Sequence, residues 1–206
     1  MKNLADLLPW VPELFRDFAA LLPDAAVCSG EKTHIWYIGE CRADLARACS
    51  PDDNSGRAVL IGDDRDELFA EREKLNSACM GFLRNIHTPG WSNGLPRPAQ
   101  AIAASFCISR LQPNEAAAFL KEVCASLASG GVFFWIDFFL PQSLSLMAQY
   151  QKALTAAIDE NEFDALLRSR NLMLLETAMP LLAESGFGNV EIPSKRMLLA
   201  AIAAYT

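Results

Sequence analysis

Three short stretches hold most of the residues able to do chemistry: Gly39-Glu40-Cys41-Arg42-Ala43, Gly62-Asp63-Asp64 and Ser105-Phe106-Cys107-Ile108-Ser109-Arg110. Between them, Asn85-Ile86-His87 opens a Pro- and Gly-rich stretch that runs to Pro98. The intrinsic pKa of His87 suits a general base, although a lone loop histidine also reads as simply exposed. Arg110 offers a planar fork of donors to an anion, and otherwise reads as a surface arginine heading a helical segment. Asp63 and Asp64 are acceptors for a ligand or caps of the helix that follows. There is no nucleophilic triad and no phosphate loop. Six cysteines without a CxxC pair, and only two histidines, argue against a metal site, and the cysteines read as small buried hydrophobes.

The elements that must position these stretches alternate. Residues 34–38 are β-rich and end at Gly39, 44–48 read as helix, 58–62 as a second strand and 66–77 as a second helix. A weak third strand follows at 81–85 and a fourth at 101–106. Residues 113–127 form a helix with proline near its start, and Gly130-Gly131 stops the chain before a strand at 132–138. Helical patterns at 144–158, 162–171 and 176–185 precede two closing strands at 190–192 and 197–205. At the N-terminus Leu4, Leu7, Leu8, Val11, Leu14, Phe15, Phe18 and Leu22 make one apolar stripe, on a helix or helix pair broken near Pro9 and Pro12. The turn at 29–32 and the loop at 50–57 are polar.

The expected architecture is α/β: a Rossmann-like, open, mostly parallel seven-stranded sheet with helices on both faces and a C-terminal antiparallel strand pair. One domain is expected over 1–206, with an N-terminal helical cap at 1–30 and a helical insertion at 141–175. In such a sheet ligands bind outside the carboxyl ends of the strands, where the strand order reverses, so the three stretches converge there.

Bulk composition narrows the partners. Of 206 residues 51% are hydrophobic and 21% charged, enough apolar surface for one large core. The net charge is -7 and the 18 basic residues are scattered, which argues against nucleic acid. The richest apolar runs are short and interrupted or flanked by charge, so no membrane span is expected. An Asp and a Pro stand where an export signal would be apolar, and the expected location is cytoplasmic. A small molecule is the expected partner, and a homodimer is compatible with the sequence.

From about Glu31 onward, order and spacing resemble the class I S-adenosylmethionine-dependent methyltransferases, specifically their small-molecule branch. Tyr37-Ile38-Gly39-Glu40-Cys41-Arg42-Ala43 stands where that family has an acidic residue and a Gly-x-Gly-x-Gly loop. Gly62-Asp63 resembles the end of its second strand, residues 100–111 its fourth strand and the next turn, and 114–131 the helix and turn before its fifth. Asp137 falls where an acidic residue often ends that fifth strand, and Leu182-Ala183-Glu184-Ser185-Gly186-Phe187-Gly188-Asn189-Val190 resembles the closing turn.

The resemblance implies S-adenosylmethionine as cofactor, surrounded by Tyr37, Gly39, Glu40, Cys41, Asp63, Asp64, Asn85, Ile86, Ser105 and Phe106. Asp63 would accept from two ribose hydroxyls, and Asn85, also a common turn former, would face the base with Ile86. Methyl transfer to a small-molecule acceptor is implied, with His87 as base and Trp91, Ser109, Arg110 and Tyr150 at the substrate. Met147, Phe163 and Met173 could touch it too, though amphipathic packing explains their spacing. Trp91 and Trp10 could cover the site as a lid, although Trp10 reads better as core; Trp36 and Trp135 read as core.

The glycine loop departs from the family's pattern. Cys41 replaces the second glycine, where a side chain would fill the space a cofactor needs, and Ala43 replaces the third. Tyr37 replaces the carboxylate that holds the ammonium of the methionine moiety, and Glu40 is a substitute for it. The departures leave a methyltransferase with altered cofactor contacts, a methyltransferase-like binding or scaffolding protein that no longer binds the cofactor, or another reaction on the same fold.

Overall fold

Continuous runs of Ile, Val, Leu, Ala and Phe make strands that can be buried on both faces, and these runs build the centre of the molecule. The structure, a computed structural model, describes residues 8, 10–22, 34–49, 58–75, 79–155 and 159–206. The expectations for Leu4, Leu7, Pro9, the turn at 29–32, the loop at 50–57 and the helix ends at 76–77 and 156–158 lie outside the described residues.

The chain runs α1 (Val11–Leu21), β1 (His34–Gly39), α2 (Arg42–Cys49), β2 (Ala58–Gly62), α3 (Arg65–Lys74), β3 (Met80–Leu83) and β4 (Ala99–Ser105). It continues through α4 (Pro113–Ser126), β5 (Leu127–Leu140), α5 (Leu144–Thr155), α6 (Glu160–Arg168), β6 (Met173–Leu174), α7 (Leu175–Glu184), β7 (Asn189–Arg196) and β8 (Leu199–Tyr205). The sheet order is β3-β2-β1-β4-β5-β8-β7. Strands β1 to β5 are mutually parallel, and β8 is antiparallel to both β5 and β7. This is the expected seven-stranded sheet with its C-terminal antiparallel pair. The two-residue β6, which pairs with β5 off the main path, was not legible in the sequence.

Alternation along the strands divides the core in two. Tyr37, Leu60, Ala103 and Phe134 face α1, α2 and α3, and Phe18 of α1 stacks on Phe134 at 4.7 Å. Trp36, Ile38, Ile61 and Trp135 face α4 and α7. Fully burying each of these large side chains contributes about 1.5–3 kcal/mol.

Several boundaries differ from the sequence reading, each for a local reason. β7 is longer than 190–192 because its pairing with β8 continues past Pro193, with a register shift between Glu191 and Ser194 where proline lacks its donor. β8 starts at Leu199 because Met197 takes a positive φ of 55° in the turn before it. α6 ends at Arg168, so Arg170 lies beyond the helix.

Candidate functional site

Strand order reverses between β1 and β4, and there the carboxyl ends of β1, β2 and β4 and the chain after β3 surround a cleft of about 420 Å³, open mouth included. Register sets the strand ends level, with Gly39 opposite Ser105 and Ile38 opposite Ile61. Gly39 has φ +96°, and a Cβ there would lie 2.1 Å from the Ser105 carbonyl oxygen, so the join of β1 to β4 requires glycine. The Glu40 amide donates to the Ser105 carbonyl at 2.8 Å, and the Ser105 hydroxyl donates back to the Glu40 carbonyl.

Cys41 keeps a glycine-like backbone, with φ +58°. That turn sends its side chain into the core with Tyr37 and Leu45, 5% exposed, and it does not line the cleft. The expectation that Cys41 fills the cofactor's space is therefore corrected. Its neighbours Glu40 and Arg42 line the cleft. Tyr37 is likewise corrected, since it is buried on the face of β1 that packs on α1 and does not line the cleft.

At the end of β2, a Cβ on Gly62 would lie 2.7 Å from Nη1 of Arg42. That buried guanidinium pairs with Glu71, approaches Glu67 at 3.3 Å and donates to the Ile61 carbonyl at 3.3 Å. Burial raises the Glu71 carboxyl above its ordinary value, and Arg42 pulls it back. Asp63, the next residue after Gly62, is exposed on the cleft wall. Asp64 accepts from the Glu67 amide at 2.8 Å and caps α3, so it serves the helix and does not line the cleft.

The β4–β5 side carries a second charged group. Arg170, its side chain only 2% exposed, donates from Nη2 to Glu40 Oε1 at 2.9 Å and from Nη1 to the Phe106 carbonyl at 2.6 Å and Ser109 Oγ at 3.1 Å. Its guanidinium carbon stands 5.2 Å from the centroid of the Phe138 ring and Nη1 lies 3.9 Å from Asp137. Asp137 is fully buried and accepts from the Ser109 amide and hydroxyl, the Phe138 amide and the Trp135 indole. Ser109 is thus a partner of Asp137 and Arg170, away from the cleft. Arg110 is half exposed and reaches Glu40 Oε1 at 3.8 Å. Burial pushes the Glu40 carboxyl above its ordinary value, with Arg170 and then Arg110 opposing. Cys107 also lines the cleft, but burial, with Asp137 and Glu40 adding to it, drives its thiol well up, so it stays protonated at neutral pH.

On the β3 side, Ile86 and His87 line the wall. His87 Nδ1 lies 3.3 Å from Glu115 Oε2. Asn85 accepts from the His87 amide at 3.0 Å and from the Thr88 hydroxyl, acting as a turn former. Behind this wall a second cleft of about 530 Å³, open mouth included, runs along α4, and Trp91 lines it. Trp91 is buried and stacks on Phe119 at 5.1 Å, so it is no lid over the cleft. Its loop is pinned by Glu122, which accepts from the Gly90 and Ser92 amides.

Of the residues singled out from sequence, Gly39, Glu40, Asp63, Ile86, His87 and Arg110 come together in one cleft. Ser105 lies beneath it, Phe106 is core at φ +55°, and Tyr150 packs against the core beside Phe163 and Met147. Arg170 and Arg42 were missed. Arg42 stood within the loop stretch, but nothing in the sequence marks Arg170, which lies 130 residues from Glu40. Among the described residues no group of three or more His, Cys, Asp or Glu is placed to hold a metal ion, and no described helix is long and apolar enough to cross a membrane.

An adenosine-type cofactor with an amino-acid tail needs backbone clearance, an acceptor for the ribose diol, an apolar wall for the base, and one anion and one cation for the tail. Gly39 has no side chain to occupy the cleft, and Asp63, Ile86, and the lining pair Glu40 and Arg110 have the chemistry of the other needs in that order, so the residues present fit S-adenosylmethionine.

No family model matches the chain, and no curated protein matches it. Solved structures do. An O-methyltransferase family protein from Burkholderia thailandensis superposes with a TM-score of 0.68 at 10% identity, over 98% of this chain and 57% of that one. An O-methyltransferase family 2 protein from Planctomyces limnophilus, solved with apigenin, gives 0.67 at 14% identity over 97% of this chain and 60% of its own. Human N-acetylserotonin methyltransferase, solved with SAM, gives 0.65 at 13% identity over 98% and 53%. The chain therefore spans little more than half the length of these structures.

Proposed function

We propose that this chain, which has the fold of the class I S-adenosylmethionine-dependent methyltransferases, binds that cofactor in the cleft and transfers its methyl group to a small-molecule acceptor. The observation that carries this reading is the convergence of Gly39, Asp63, Ile86 and His87, from the ends of three strands, on one cleft at the reversal of strand order. When bound, the cofactor supplies a methyl group on a sulfonium, open to in-line displacement, so the protein has mainly to align the reactants. Asp63 accepts from the ribose hydroxyls and Ile86 packs on the base. With Nδ1–H directed to Glu115, His87 presents Nε2 as the proton acceptor for an acceptor hydroxyl.

Calorimetric titration with S-adenosylhomocysteine tests the reading. Wild type should bind, Asp63→Ala should weaken binding about ten- to a hundredfold, and Asp66→Ala, on the exposed first turn of α3, should not. Equal affinities in the two variants remove Asp63 from the site, and no binding by wild type overturns the reading.

A further inference from the structure

Resting on that reading, we propose that Glu40 and Arg110, braced by Arg170, recognise the zwitterionic amino-acid end of the ligand, a task for which the strand-end position 37 is out of reach. The layout of the cleft sets the direction. Asp63 follows β2 and Ile86 follows β3, whereas Glu40 follows β1 and Arg110 follows β4, so a ligand with its nucleoside on the β2–β3 side of the cleft runs its tail toward Glu40 and Arg110.

The two arginines on Glu40 are held very differently. Arg170 is a fixed strut, buried, bonded to the Phe106 carbonyl and Ser109 hydroxyl, and stacked on Phe138. It fixes Glu40 Oε1 at 2.9 Å and has no freedom to turn toward a ligand. Arg110 is 50% exposed, and at 3.8 Å it lies beyond hydrogen-bond distance of the same oxygen. It can therefore leave Glu40 for a ligand carboxylate at little cost, while Arg170 keeps Glu40 in place for the ligand's ammonium.

Charge balance supports the exchange. Glu40 and Asp137 carry two negative charges, and Arg110 and Arg170 carry two positive ones. A zwitterion enters this neutral group by exchanging partners and leaves the net charge unchanged. A ligand with only an amine or only a carboxylate would leave one charge of its own, or Arg110, less well compensated.

Calorimetry with two probes, S-adenosylhomocysteine and 5′-methylthioadenosine, separates the tail from the nucleoside, because the second keeps the nucleoside and thioether and lacks the amino-acid group. Wild type should bind the first about ten- to a hundredfold more tightly. Glu40→Gln and Arg110→Gln should each remove most of that preference while 5′-methylthioadenosine binds as before. No preference in wild type, or a preference undiminished in a folded variant, overturns the proposal and leaves the nucleoside cleft standing. Failure of wild type to bind either probe overturns the proposed function, and this inference with it. Glu40→Gln weakens a buried pair, so thermal melting must show it folded; Arg110→Gln, at a half-exposed position, carries the test if it is not.

Discussion

Glu40, in the turn after β1, and Arg42, the first residue of α2, each enter a buried Arg–Glu pair, and the two pairs do different work. Under Gly62, Arg42 also lines the cleft but is held by Glu71, Glu67 and the Ile61 carbonyl, and a side chain on Gly62 would strike it. At the other end of the cleft, Glu40 has one fixed partner, Arg170, and one loose partner, Arg110. A buried ion pair with no loosely held member holds backbone together, whereas one with a loosely held, exposed member can exchange it for a ligand.

The largest expected difference between the two pairs is in stability. Arg42→Met leaves Glu71 buried without its cation and should cost about 3–5 kcal/mol in chemical denaturation. A loss under about 1 kcal/mol would show that the pair is not a structural tie. Next comes Gly39→Ala, which forces a side chain at φ +96° against the Ser105 carbonyl; strain of this kind, with overpacking, should cost about 2–4 kcal/mol. Tolerance of alanine there would mean that the β1–β4 join opens more easily than the geometry indicates.

A smaller effect is expected at the Glu40 pair. Burial raises the Glu40 carboxyl, Arg170 and Arg110 oppose that rise, and Asp137 adds to it. As pH falls from neutral through this raised value, Glu40 takes up a proton and the preference for S-adenosylhomocysteine over 5′-methylthioadenosine should shrink, beginning above the ordinary glutamate value of 4.5. The linkage sign separates this from unfolding through the same group: a carboxyl raised in the folded state adds stability below its unfolded pKa, and that contribution is lost as pH rises through the folded value. A preference that stays flat in wild type, or that falls equally in Glu40→Gln, would take Glu40 out of the effect.

The strands were legible because residues 34–38, 58–62 and 101–106 are nearly unbroken apolar runs, and Gly39 and Asp63 were legible because they punctuate strand ends. Cys41 was misplaced because residue spacing does not reveal a positive φ, and that dihedral turns its Cβ from cleft to core. Arg170 was hidden twice. The helical pattern at 162–171 placed it on a helix, and its partners, Glu40, Phe106 and Ser109, are far away in sequence. Trp91 looked like a lid because its loop is irregular, yet the carboxylate of Glu122, from α4, holds that loop down and the ring stacks on Phe119.

In the proposed binding mode one cleft takes a nucleoside at Asp63 and its amino-acid tail at Glu40 and Arg110. A crystal structure of the full chain with S-adenosylhomocysteine tests it most directly. The account predicts the ribose diol on Asp63, the base against Ile86, the ammonium on Glu40 and the carboxylate on Arg110, with Arg170 still bonded to the Phe106 carbonyl. Ligand bound elsewhere, or bound here with its tail turned away from an intact Glu40–Arg110 contact, would contradict it.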